Sequence, residues 1–254
     1  MIAHKPGGGG AVVWSAMNRM KGDGQTIVGI NLPHIIIQPA RGASYRTEDI
    51  AVLYLFHYTP NALIVADDSP YETLEDLIAD ARERPRQVLF SGSGKGTANH
   101  LAKVRFDNTA EIETRYRAFK GTGESIAALL SGTVDAAWGY TTVALKHEGD
   151  VRVLGVAMDI RHPKLPDIPT FRERGIEMVD GAYRGIAVPN TTPDPIRRRI
   201  SKLFARLTDD PELVEKKHAL GFVPVDIGYE DVPAFMEQRT YEYRALAKRA
   251  GLIE

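Results

Sequence analysis

Cysteine is absent from this 254-residue chain. Disulfides, thiol nucleophiles and cysteine-ligated metals are therefore excluded, and the redox compartment is left open. An excess of either charge is missing too: 32 Lys and Arg stand against 33 Asp and Glu, for a formal net charge of -1. That balance gives no electrostatic case for a nucleic-acid or anionic-membrane partner. No apolar run is long enough to span a bilayer. No two histidines have metal-ligand spacing on a helix, so no metal is expected. No G-x-S-x-G elbow marks a serine nucleophile, although a dispersed Ser/His/Asp arrangement stays open. Apart from the glycines at 7–10 there is no low-complexity stretch, and no internal repeat.

What is present is the composition of a globular protein, 43% hydrophobic and 26% charged, with length for one large or two small domains. The stretch around which the chain is organised is Phe90-Ser91-Gly92-Ser93-Gly94-Lys95-Gly96-Thr97-Ala98-Asn99-His100. Gln87 to Phe90 reads as a short buried strand and Ala98 to Phe106 as a helix. A strand, a glycine-rich turn and a helix N-terminus leave backbone N–H groups free to face an anion. Gly94-Lys95-Gly96-Thr97 is not a nucleotide P-loop: Leu89 stands at the first glycine position, and Gly96 follows the lysine where a hydroxyl is needed. The site reading competes with a turn made tight for packing alone. Ser91, Ser93 and Thr97 favour the site by adding hydroxyls beside the amides.

Along the chain, Lys5 to Gly10 is a turn and Ala11 to Met20 a helix. Thr26 to Ile30 is a strand that delivers Asn31-Leu32-Pro33-His34 at its C-terminal end. Ile35 to Ile37 is too short to type. Ile50 to Phe56 and Ala62 to Val65 read as two strands, Leu74 to Arg84 as a helix capped by Thr73, and Glu113 to Phe119 as a strand. Val134 to Trp138 is a strand with Gly139-Tyr140-Thr141 as its C-terminal loop. Strands at 152–158, 183–188 and 223–227 and helices at 195–207, 211–220 and 230–249 complete the chain. The alternation predicts an α/β protein with mainly parallel sheets, whose ligands sit at strand C-termini. Two lobes with two crossings are expected, 1–66 plus 183–254 and 67–182, with the ligand cleft between them.

Single residues carry competing readings. His100, one turn into its helix, is more simply a packed or capping residue than a base. His34, in a strand-end loop, is as well placed to touch ligand as to pack. Asp135 is more simply a strand-end charge than an acid or base. Arg197-Arg198-Arg199 reads as a solvated helix face.

In order and spacing, several pieces resemble the substrate-binding receptors of tripartite tricarboxylate transporters. They are Lys5 to Gly10, Asp23-Gly24, Ser69-Pro70 to Leu77, Ser91 to Leu101, Tyr116 to Gly123, Ala128 to Asp135, Arg161-His162-Pro163, Leu165 to Phe171 and Gly185 to Pro189. The resemblance covers nearly the whole chain. It implies a two-lobed periplasmic-binding-protein fold of type II that closes on a small organic acid and passes it to membrane subunits of a transporter. It implies a monomer without cofactor and without catalysis, in the periplasm. Carried over by position, it assigns Ser91, Gly92, Ser93 and Thr97 to the ligand carboxylate in the second lobe. Asn31 and His34 face it from the first, and Tyr140 and Thr141 complete the pocket. The family's signal peptide, first strand and first ligand loop would lie before Met1, so the resemblance implies a first lobe truncated at its start. Many members carry an aspartate where this chain has Gly139, which argues against an amino-acid ligand. Two other readings stay open: an α/β enzyme on a small organic acid with His34 or His100 as base, and a receptor for a membrane sensor.

Overall fold

The computed structural model describes residues 2–5 and 7–254. Pro6, part of the turn expected at 5–10, lies outside the described residues. In chain order the elements are α1 (Ala11–Trp14), β1 (Val28–Asn31), α2 (His34–Ala40), β2 (Ile50–Ala66), α3 (Leu74–Glu83), β3 (Leu89–Gly92), α4 (Ala98–Ala110) and β4 (Arg115–Ala118). There follow α5 (Thr122–Leu130), β5 (Ala136–Tyr140), α6 (Thr141–Lys146), β6 (Val151–Val156), β7 (Gly181–Pro189), α7 (Asp194–Thr208), α8 (Pro211–Ala219), β8 (Val223–Ile227) and α9 (Val232–Arg249). The architecture is mixed α/β.

The chain divides into two compact units. One comprises Met1–Tyr58, Tyr183–Lys216 and Pro224–Glu254; the other comprises Thr59–Ala182 and Lys217–Val223. The sequence reading put the first boundary at the turn after residue 66 and left 217–223 with the first lobe. The difference has a cause. The two strands expected at 50–56 and 62–65 are a single 17-residue strand, so the division at Tyr58/Thr59 falls inside β2, where no turn residue marks it.

In the second unit, β3 pairs in parallel with β4 and β5, while β5 and β6 both pair antiparallel to the 61–66 end of β2. One strand thus runs against four that are parallel to one another. Side chains alternate across a strand, and here both faces are covered. Leu63, Val65, Ala136 and Trp138 enter one apolar cluster with Phe90 and Phe106, while Ala62, Ile64 and Ala137 enter another with Ile126 and Leu129. Burial on both faces explains why these strands read as continuous apolar runs. Trp138 packs edge-on against Phe90 and Phe106, at centroid distances of 6.2 and 5.5 Å.

In the first unit, β1 pairs antiparallel with β7, and Asn31 stands opposite Arg184. Leu53, Tyr54, Ile186 and Val188 form a cluster covered by Ile200 and Phe204 of α7. The helix expected over 11–20 is shorter. It ends at Trp14, whose indole N–H donates to the Gly29 carbonyl at 3.1 Å, and a separate 3-10 turn covers Met17–Arg19.

Candidate functional site

Ser93 to Thr97 connect β3, which ends in Ser91 and Gly92, to α4 in the second unit. Gly94 and Gly96 have φ of 122° and 78°, a region that side chains with a Cβ avoid. Thr97 is the N-cap of α4: its hydroxyl donates to the Gly94 carbonyl at 2.9 Å and makes a long 3.5 Å contact with the His100 N–H. The His100 Nδ1 accepts the Gly96 N–H at 3.2 Å, and its ring stacks on Tyr116 at 4.4 Å. The Tyr116 hydroxyl donates to the Gly94 carbonyl at 3.3 Å. His100 therefore shapes the loop from inside, and with Nδ1 accepting, its proton sits on Nε2.

Asn99 is the keystone of the loop. Its Oδ1 accepts from the Ser93 hydroxyl at 2.5 Å and the Ser93 N–H at 3.3 Å. Its Nδ2 donates to the Gly139 carbonyl and to Asn61 Oδ1, both at 3.2 Å. Gly92 is glycine because there is no room for more: a Cβ there would lie 2.3 Å from the Tyr116 hydroxyl and 2.9 Å from the Asn99 Cβ. The consequence is a rigid turn that leads into the first residues of α4, whose N–H groups have no carbonyl one turn back and carry the positive end of the helix dipole.

The sequence-assigned residues divide by what their side chains do. Ser91 is fully buried; its hydroxyl accepts from Ser125 Oγ at 2.8 Å and donates to the Ser125 carbonyl at 3.3 Å, tying β3 to α5. Ser93 and Thr97 hold the loop, and Gly92 gives it close approach. Tyr140 is the last residue of β5 and Thr141 the first of α6, so the loop expected at 139–141 is strand and helix in direct succession. Tyr140 packs with Ala98 and Ala182. The Thr141 hydroxyl donates to the Gly221 carbonyl at 2.6 Å, fastening the 217–223 segment to this unit. A Cβ on Gly139 would lie 2.7 Å from Ile64 Cδ1, so a side chain there requires the tip of Ile64 to turn aside.

In the first unit, Asn31 ends β1 and His34 opens α2. The Asn31 Oδ1 and the His34 Nδ1 are both enclosed with no hydrogen-bond partner among the described residues. Burial, and secondarily the Arg184 charge, pull the His34 imidazole down to about 4, so it is neutral at physiological pH. Gln38, one turn on, donates to the Gly8 carbonyl at 3.0 Å, and the position of a Cβ on Gly9 lies 3.4 Å from the His34 ring. The glycine run, with positive φ at all of Gly7 to Gly10, lets the backbone lie against α2.

Sequence reasoning missed Asn61 and Arg184, and quoted Asn99 and Tyr116 without giving them a role. Asn61 carried one signal, a lone amide in the apolar run 58–66. Among the described residues no group of three or more His, Cys, Asp or Glu could hold a metal ion, and no helix is long and apolar enough to cross a membrane.

With this geometry in hand, comparison with known proteins is specific. The chain matches the family described as "Tripartite tricarboxylate transporter family receptor" over residues 1–252. It is 27% identical over 230 residues to a UPF0065 protein from the tcbD-tcbE intergenic region of Pseudomonas sp. (strain P51), spanning 87% of this chain and 68% of that protein. Its fold is similar to R. palustris Rpa4515 with adipate, with a TM-score of 0.85, 24% identity and 95% and 83% of the two chains covered. It is also similar to MatC (Rpa3494) from Rhodopseudomonas palustris with bound malate, with a TM-score of 0.79, 21% identity and 94% and 85% covered. The chain belongs to the tripartite tricarboxylate transporter receptor family.

Proposed function

We propose that this protein is an extracytoplasmic receptor that holds a small organic carboxylate, performs no chemistry on it, and delivers it to the membrane subunits of a tripartite transporter. The observation that carries the reading is the N-terminus of the thirteen-residue α4. Its approach is built from glycines and closed internally by Ser93, Thr97, Asn99 and Tyr116. A carboxylate accepts from free helix N–H groups and is stabilised by the helix dipole without any arginine. Membership of a receptor family supports the same reading, and relatives of similar fold hold adipate and malate. Those two acids, each with two carboxylates, are the first ligands to test.

The histidines argue for binding over turnover. His100 Nδ1 already accepts a backbone N–H. His34, held down to about 4, is a weak base at neutral pH. Thermal-shift screening against C3 to C6 organic acids, followed by calorimetry, tests the proposal. A bound acid raises the melting midpoint by mass action and is recovered unaltered. Conversion of the acid, or indifference to every acid in the panel, contradicts it. The periplasmic address and the transporter partner are tested by fractionation of the native host and by loss of acid uptake when the gene is deleted.

A further inference from the structure

The amide of Asn61 is buried, half-satisfied and one hydrogen bond from α4. Its orientation does not depend on a choice between nitrogen and oxygen. The Ser93 backbone N–H is a donor by chemistry and requires the Asn99 oxygen. The Gly139 carbonyl is an acceptor and requires the Asn99 nitrogen. These two contacts fix the Asn99 amide. Its nitrogen also faces Asn61, so Asn61 presents its oxygen there, at 3.2 Å. The Asn61 nitrogen, with two N–H groups, is then left enclosed with no partner among the described residues.

The position is set by the strand. Asn61, Leu63 and Val65 share one face of β2; Leu63 and Val65 enter the apolar cluster, and Asn61, 0% exposed, ends the row. Its partner across the pair is Tyr140, whose side chain packs on Ala98, the first residue of α4. The amide therefore sits at the level of the α4 N-terminus, on the α4 side of the sheet. An apolar residue would cost less there, because a buried donor without an acceptor forfeits its hydration.

We infer that Asn61 is a specificity-determining residue whose Nδ2 donates to a carboxylate oxygen of the ligand held at the α4 N-terminus. This rests on the receptor reading above and deepens it. The competing role is structural, in which Asn61 serves only to accept from Asn99 and a permanent water occupies the nitrogen.

The full chain, labelled with 15N-asparagine, is titrated with adipate and with malate, and Asn61→Leu and Asn61→Asp are titrated beside it. Asn61→Asp keeps an oxygen for Asn99 but removes the donor, and it also identifies the Asn61 side-chain signals by their disappearance. The inference expects a ligand-dependent downfield shift of one Asn61 side-chain proton in the wild type. It expects a Kd raised about tenfold or more in both variants, with the unliganded melting midpoint of Asn61→Leu unchanged or higher. An Asn61 signal that does not move on saturation, with Kd unchanged in the variants, overturns the inference and leaves the receptor reading standing. A wild type that binds neither these acids nor any other in the panel overturns both. The wild-type spectrum decides the matter even where a variant fails to fold.

Discussion

The two places where sequence and fold gather polar groups are organised in opposite ways. At 91–99 in the second unit, side chains are spent on the loop itself: Ser91 on Ser125, Ser93 on Asn99, Thr97 on Gly94. On the proposed reading, what remains to face a ligand is backbone, the first N–H groups of α4. At 31–34 in the first unit, the side chains are the unspent part: Asn31 Oδ1 and His34 Nδ1 are buried without partners among the described residues. A backbone site recognises a charge that is always of one sign. One amide oxygen and one neutral imidazole carry no fixed charge, and what they accept depends on the donors presented to them. The comparison teaches that hydroxyls near an anion loop are not evidence of contact with the anion. Here those hydroxyls hydrogen-bond within the protein, to Asn99, Gly94 and Ser125.

Four perturbations break or sharpen this comparison, the largest first. Asn99→Ala removes the acceptor of two Ser93 bonds and the donor to Asn61 and Gly139. It should cost about 4 kcal/mol of stability in urea unfolding and abolish acid binding. Next comes pH. Because His34 is held at about 4 against an ordinary 6.5, the unfolded chain takes up this proton before the folded one does. Stability is therefore full above about pH 6.5 and declines as pH falls toward 4. The decline attributable to this group is about 3 kcal/mol, and His34→Gln should flatten that part of the stability curve. Third, Gly92→Ala forces a methyl against Tyr116 and Asn99. It should cost about 2 kcal/mol and weaken binding more than an alanine at Ser91 does, since the Ser91 hydroxyl is bonded to Ser125. Smallest is Lys95→Ala. The side chain is exposed, so its removal should change affinity by no more than about twofold and mainly alter the salt dependence of association.

The strand, turn and helix at 89–98 were legible because their signals are local: an apolar run, alternating glycines and a threonine cap. The last strand was equally plain, at Val223–Ile227 in the sequence and in the fold. β2 was not, because Pro60 and the polar residues around it interrupt a pattern that only pairing with distant strands completes. The loop expected at 139–141 was misjudged for a similar reason. Gly139 looks like a turn residue, but it lies inside β5, paired with Ala62 of β2 and close against the tip of Ile64. The chemistry of the second unit was half legible. The loop announced itself, but Asn99 reaches Asn61 across 38 positions, and no spacing rule links the two. In the first unit Asn31 and His34 were singled out by their place at a strand end. Arg184, which helps to depress the His34 pKa, reached Asn31 only through the β1–β7 register.

The central claim is that the α4 N-terminus binds a carboxylate and leaves it unchanged. Isothermal titration of the full chain with adipate and malate, with the acid recovered and analysed afterwards, tests it most directly. The account predicts saturable binding of a small organic acid to one site, a raised melting midpoint and quantitative recovery of the same acid. Recovery of a converted product, or binding that survives Asn99→Ala undiminished in a folded protein, would contradict it.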